Sequence, residues 1–217
     1  MDSTSSCGKL IIFEGLDGAG KSTIAARLST MLQQEDRCNV LLTRQPGGTE
    51  PGQAIRTLLN TNNFQKNPDA EFLLFAADRA LHVRNVIEPA LKQEAIVICD
   101  RMTDSSYAYQ GYGRGVDRTM IRTINEWIMR GIKPDLTIYL VIDYATAQQR
   151  IAARHGNSTY DQEQVSFFRL VTKGYEELYE HRSDVMRIDG TLSIDTIVHR
   201  VYQRVCALIG CDTHDIR

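Results

Sequence analysis

Five short apolar runs are spaced along this chain, and the stretches between them are mixed, with apolar residues returning every three or four positions. The runs are Lys9–Glu14, Asn39–Thr43, Ala95–Cys99, Leu136–Ile142 and a shorter Val185–Ile188, each with β-branched residues. That length and composition predict buried strands. The periodicity between them predicts helices over Ser22–Gln34, Gln53–Leu59, Asp69–Gln93, Thr103–Gln110, Arg118–Met129, Tyr144–Arg154, Asp161–Glu180 and Ile194–Ile209. Strands alternate with helices, so the expected fold class is α/β: a three-layer α/β/α arrangement on a five-stranded parallel sheet. In such sheets ligands sit beyond the carboxyl ends of the strands. Asp17, Arg44 and the pair Asp100-Arg101 each fall just past a predicted strand end, so all are expected at one crevice. The polar stretch His155-Gly156-Asn157-Ser158 separates two helices and is expected to tip a short helical lid over about residues 150–161.

Composition narrows the classes. The chain has 217 residues, 42% apolar and 24% charged, which suits one globular domain with a sizeable core. The polar ends, residues 1–8 and 211–217, are expected to be loose tails around a single domain spanning 9–210. A formal net charge of −2 argues against a nucleic-acid partner, so any phosphate site must be built from locally gathered arginines. The cysteines, Cys7, Cys38, Cys99, Cys206 and Cys211, are odd in number and form no C-x-x-C pair, which reads as free thiols in a reducing compartment. There is no apolar run of membrane-spanning length and no basic-apolar leader, so the expected location is the cytoplasm.

The chemistry concentrates in Gly15-Leu16-Asp17-Gly18-Ala19-Gly20-Lys21-Ser22, which fits G-x-x-x-x-G-K-[ST] between the first strand and the first helix. Glycines let the backbone turn its N–H groups toward an anion, and the helix start adds partial positive charge. Lys21 can reach the outer phosphates of a nucleoside triphosphate and the Ser22 hydroxyl can ligate Mg²⁺. Asp17 is unusual in a loop that attracts anions, so it is expected to face the acceptor or the metal. Asp100, at a strand end, suits Mg²⁺ or its water shell, and Arg101 offers a planar fork to phosphate. Arg44 and Arg56 flank the tight loop Gln45–Thr49 and are further phosphate candidates. Phe75 and Arg79 share a helix face and could stack on a base and bond its edge. Ser106, Tyr109 and Gln110 share another and could read a base or sugar. Spacing alone leaves core packing or a solvated face open for both sets.

Together these segments resemble thymidylate kinases of the bacterial type. The matching stretches are Gly15–Ser22, Arg44–Thr49, Phe75–Arg79, Asp100-Arg101 through Ser105–Gly111, Gly113-Arg114-Gly115 and Pro134–Leu140, in family order across about residues 9–205. The resemblance implies a P-loop nucleoside monophosphate kinase that phosphorylates dTMP to dTDP with ATP and Mg²⁺ in dTTP synthesis, acting as a homodimer. It implies that Phe75 stacks on thymine, Arg79 bonds a thymine carbonyl, and Ser106 and Gln110 lie near the base edge. Tyr109 would crowd the sugar 2′ position, Arg101 and Arg56 would line the acceptor-phosphate pocket, and Asp17 would lie near the 3′-hydroxyl.

The chain departs from that pattern in three places. Gln45 stands where the family usually has Glu, Met102 replaces a common aromatic, and Ser158-Thr159 fall where bacterial relatives often carry an Asp-Arg pair. The cationic lid candidates are then Arg150, Arg154 and His155, with Arg154 taken as the catalytic one. Other readings remain open. The acceptor could be dUMP, a modified thymidylate or a deoxynucleoside. A GTPase-type switch would need an N-K-x-D loop, which the chain lacks. A catalytically dead relative is opposed by the presence of Lys21, Ser22, Asp100 and Arg101.

Overall fold

A computed structural model describes residues 8–34, 39–61, 64, 67–155 and 165–211, with the side chains of Arg154 and His155 outside the description. The strands are β1 (Lys9–Gly15), β2 (Val40–Arg44), β3 (Ile96–Asp100), β4 (Leu136–Val141) and β5 (Val185–Asp189). They pair in the order β2-β3-β1-β4-β5, and every pair is parallel. The chain fills one side of β1 first and then crosses to the other. The sheet therefore has its topological switch beside β1, where a crevice opens at the carboxyl ends.

The sheet is apolar on both faces because both are covered. Ile11, Phe13, Ile98, Ile138 and Leu140 join one buried core with α1 (Lys21–Gln33) and α9 (Ile194–Ile209). Leu10, Ile12, Val97 and Cys99 join a second with α3 (Pro68–His82) and α6 (Arg118–Met129). Alternate residues of β1 thus feed opposite cores, as the two-residue side-chain repeat of a strand requires. The remaining helices are α2 (Glu50–Leu59), α4 (Glu88–Lys92), α5 (Thr103–Ser106), α7 (Tyr144–His155) and α8 (Val165–Tyr179).

Two expected helices are not continuous. The periodicity predicts one helix over Asp69–Gln93, but α3 passes through a π-helical stretch, Val83–Ile87, before α4. Pro89 explains the break: it has no N–H to donate, and its ring crowds the carbonyl four residues back, which a wider turn relieves. Similarly, Thr103–Gln110 is α5 followed by a π-helical stretch, Tyr107–Gly113. The expected helix over Asp161–Glu180 is described only as α8, and residues 156–164, which include half of the expected lid, lie outside the described residues. Residues 1–7 and 212–217 of the expected tails lie outside it too.

Candidate active site

The register of the sheet assembles the site. Asp100 pairs with Phe13 on one side and Arg44 on the other, which brings the ends of the three neighbouring strands level. Beyond them lies a cleft of about 340 Å³. Its wall holds Asp17, Gly18, Gly20, Lys21, Ser22, Arg44, Arg56, Phe75, Arg79, Asp100, Arg101, Ser106, Tyr109 and Gln110, which all come from the sequence-derived site. Gly15, Leu16 and Ala19 form the back of the loop, the last two 2% and 1% exposed. Arg154 belongs to α7 by its backbone, and its side chain lies outside the described residues.

The glycine loop takes its shape from crowding. Gly18 has φ +81°, and a Cβ there would lie 2.6 Å from the Ala147 carbonyl oxygen of α7. Gly15 has φ +133°, and its Cβ would lie 2.5 Å from the Leu140 oxygen of β4. Only glycine fits both the dihedral and the space. Lys21 opens α1 and turns back under the loop, donating to the Leu16 oxygen at 2.8 Å and the Gly15 oxygen at 3.2 Å. Burial, reinforced by the Arg101 charge, lowers its ammonium to about 8.

Ser22 donates to Asp100 Oδ2 at 2.5 Å, while Asp100 Oδ1 is buried without a hydrogen-bond partner among the described residues. A hydroxyl beside a carboxylate with a spare oxygen suits Mg²⁺, which takes few protein oxygens and keeps phosphate or water for the rest. No group of three His, Cys, Asp or Glu that could cage a metal occurs among the described residues.

Two arginines line the cleft, Arg101 part-buried and Arg79 buried. Arg101 leaves β3 with φ +69°. Its Nη2 donates to Asp17 Oδ1 at 2.6 Å and to the Tyr109 hydroxyl at 3.3 Å. Its Nη1 donates to Ser105 Oγ at 2.8 Å and to the Tyr175 hydroxyl at 3.3 Å. Burial alone would raise the Asp17 carboxyl, but the charges of Arg101 and Lys21 outweigh it and hold it low. Arg56 is tethered to the Pro46 oxygen at 2.8 Å, whereas Arg44 is exposed.

Arg79, at the other end, is 2% exposed and meets only neutral acceptors. Nε donates to Gln45 Oε1 at 3.0 Å, Nη1 to Asn125 Oδ1 at 2.7 Å, and Nη2 to the Met102 oxygen at 3.1 Å and Ser106 Oγ at 2.9 Å. A guanidinium has five N–H groups. One on Nη1 is left over among these contacts, in a wall that also holds half-buried Phe75 and buried Gln110. Behind Arg79, the Gln45 amide nitrogen lies 3.0 Å from His82 Nδ1, and His82 Nε2 lies 2.6 Å from Thr43 Oγ1. Since Gln45 must turn its oxygen to an arginine that only donates, its NH₂ faces Nδ1. The proton of His82 is therefore on Nε2. Burial, with the Arg79 charge, lowers His82 to about 4, so the ring is neutral at physiological pH.

Sequence reasoning missed Glu14, Ser105, Tyr175, His82 and Asn125. Glu14 carried a signal, a charged residue closing a strand that must be covered on both faces, and Ser105 lies four residues past Arg101 in the segment that matches the family. Tyr175, His82 and Asn125 reach the site by tertiary packing, and no local spacing announces them.

A family model described as Thymidylate kinase matches residues 13–201. A thymidylate kinase of Halothermothrix orenii is 41% identical over 201 residues, covering 91% of this chain and 96% of the relative. One of Pelotomaculum thermopropionicum is 43% identical over 195 residues, covering 88% and 89%. Among solved structures, the crystal structure of thymidylate kinase from Ehrlichia chaffeensis superposes with a TM-score of 0.75 at 30% identity, covering 92% of this chain and 98% of that one.

Proposed function

This chain belongs to the thymidylate kinase family, and on that premise we infer that it phosphorylates dTMP to dTDP with ATP as co-substrate. It is an enzyme of nucleotide biosynthesis, and dTTP synthesis is the use we assign to its product. One observation carries the reading for this chain: the glycine loop and a ring-plus-amide pocket, Phe75 with Arg79 and Gln110, line the same cleft as Arg101.

We assign the ATP phosphates to the Gly15–Ser22 loop and Lys21. The acceptor phosphate goes to Arg101, with Arg56 and Arg44 beside it. Thymine stacks on Phe75 and takes the remaining Nη1 proton of Arg79 at its carbonyl, with Ser106 and Gln110 near its edge. Tyr109 lies against the sugar at the 2′ position and Asp17 near its 3′-hydroxyl. Mg²⁺, held by Ser22 with Asp100, would neutralise charge on the outer phosphates.

A dTMP phosphate oxygen attacks the γ-phosphorus in line, and the bond to the bridging oxygen of the departing ADP breaks. The acceptor is already an anion, so no strong general base is needed. The barrier is repulsion between two polyanions. Lys21, Arg101 and a lid cation, assigned to Arg154, offset it by fixed position and charge. A lid over about residues 150–161, within one domain spanning 9–210, would exclude water as a competing acceptor.

A homodimer is supported by exposed apolar side chains on α3 and α6, Leu73, Met120 and Trp127, which are 54%, 53% and 78% exposed. Apolar side chains exposed in this way favour burial against a partner. A cytoplasmic location is supported by the free thiols Cys99 and Cys206. No helix among the described residues is long and apolar enough to cross a membrane.

Turnover with ATP and a panel of dTMP, dUMP, dCMP and thymidine tests the reading. We expect the highest kcat/KM with dTMP and the narrowest margin over dUMP, since one methyl group is worth only about 1–3 kcal/mol to a pocket. Preference for thymidine, or no turnover of dTMP, would overturn it.

A further inference from the structure

Glu14 has no part in the scheme above, yet it is fully buried beneath the acceptor end of the cleft. Four donors converge on its two oxygens. Oε1 accepts from the Met102 N–H at 2.9 Å and the Ser105 N–H at 3.3 Å. Oε2 accepts from the Ser105 hydroxyl at 2.5 Å and the Tyr175 hydroxyl at 2.9 Å. Burial, with the Asp104 charge, pushes the Glu14 carboxyl up from its ordinary range, against the Arg101 charge and the Ser105 and Met102 donors, which favour the carboxylate. Two of the four donors are backbone N–H groups that can only donate, and an amide in its place would turn a donor of its own toward one of the four.

The two hydroxyls held by Glu14 are the ones that receive Nη1 of Arg101, at 2.8 and 3.3 Å. Each hydroxyl has a single proton. Once that proton is committed to Glu14, only lone pairs remain to face the guanidinium, which can only donate. The carboxylate therefore sets the direction of both hydroxyls, and they set the plane of Arg101. Glu14 itself stays 4.0 Å from Nη1, so its own contact with the arginine is a countercharge and not a hydrogen bond. The backbone gives Arg101 little guidance, because its left-handed φ of +69° takes it off the line of β3. Tyr175 comes from α8 and Ser105 from α5, so the arginine is fixed from two elements, which also touch directly where Ser105 Oγ lies 3.1 Å from the Tyr175 hydroxyl and the Tyr179 hydroxyl donates to Asp104 Oδ2 at 3.1 Å.

We propose that Glu14 is a positioning residue for phosphoryl transfer, acting through Ser105 and Tyr175 to aim the Arg101 fork at the acceptor phosphate. The proposal rests on the assignment of Arg101 to the dTMP phosphate. It separates Glu14 from a general role in holding the sheet together, because an orientation effect falls on the acceptor and leaves the ATP end untouched.

Steady-state kinetics of the full chain, with dTMP and ATP varied in turn, tests it. Glu14→Gln is expected to raise KM for dTMP about tenfold, the scale of one lost hydrogen bond to a charged group, with KM for ATP within about twofold of the parent. In a Ser105→Ala, Tyr175→Phe background the same Glu14→Gln change is expected to add less than about twofold, since its route to Arg101 is already gone. An unchanged KM for dTMP, or the same factor in both backgrounds, would overturn the proposal. Should Glu14→Gln fail to fold, Tyr175→Phe alone carries the readout: a several-fold rise in KM for dTMP only supports it, and an equal rise for both substrates overturns it. Arg101→Ala keeps the two assignments apart. If that variant leaves KM for dTMP unchanged, the placement of Arg101 is wrong. If it raises KM while Glu14→Gln does not, only the role of Glu14 is wrong.

Discussion

Among the groups through which acidification should weaken this fold is one buried side chain, His82, and the size of its contribution follows from its surroundings. The ring is fully buried between Thr43 and Gln45, with the Arg79 guanidinium on the far side of Gln45. Both burial and that charge oppose a second proton, and the imidazole is lowered from 6.5 to about 4. The unfolded chain takes up the proton near pH 6.5 and the folded one resists it until about pH 4. Between these values the unfolded state binds more protons, so stability is lost as pH falls. Relative to pH 7.5 the loss from this group is ~2 kcal/mol at pH 5 and ~3 kcal/mol at pH 4. Urea unfolding of the parent and of His82→Gln, at pH 7.5 and pH 5 and one protein concentration, isolates the contribution, because other groups titrate in both chains alike. The parent should lose about 2 kcal/mol more than the variant over that interval. Equal losses would mean that His82 is not held neutral, and the deduced tautomer and its support of Gln45 would fall with it.

Lys21→Ala and Arg101→Ala should each lower kcat at least about a hundredfold, the scale of losing one preorganised charged donor, and near-normal turnover in either would refute its role. Gly48→Ala would put a Cβ 2.4 Å from His82 Nε2 and 2.8 Å from the Arg44 oxygen. Neither neighbour has room to retreat, so a thermal melt should report a loss of about 1–3 kcal/mol. Trp127→Asp places a charge on the most exposed apolar position of α6 and should halve the mass measured by sedimentation velocity. A dimer that persists would remove that face from the interface.

The parts of the site that lie close together in sequence were legible before any coordinates. The glycine loop is one contiguous segment whose chemistry needs only a strand before it and a helix after it. Asp100-Arg101 could be placed because strand ends in parallel sheets converge. Phe75 and Arg79 could be paired because a helix puts i and i+4 on one face. What was not legible depends on contacts between segments far apart in the chain. Arg79 is held by Gln45 and Asn125, 34 and 46 positions away, and Arg101 by Tyr175, 74 away. No local period encodes such distances. The π-helical stretches were missed for a different reason. They keep nearly the apolar spacing of an α-helix, so periodicity reads through them, and only Pro89 marked the first.

The two arginines are held in ways that suit two different ends of a nucleotide. Arg79 is surrounded by amide, carbonyl and hydroxyl oxygens, which fix its plane and leave its charge unneutralised by direct contact, with one N–H for a base carbonyl. Arg101 already touches a carboxylate, Asp17, at 2.6 Å, and lies near a second, Glu14. A neutral base edge asks little of its partner beyond geometry, so a cage of neutral acceptors is enough there. A phosphate brings two negative charges into a buried cleft, and the cation that meets it would be costly to leave bare in the free protein. Asp17 holds Arg101 aligned in the free protein, so an acceptor phosphate placed on Arg101, as proposed, would exchange one anion for another and would not have to strip water from an isolated charge. On the proposed assignment, that exchange would let a chain with a formal net charge of −2 bring two polyanions into contact, because the cation that meets the acceptor is placed in advance against Asp17.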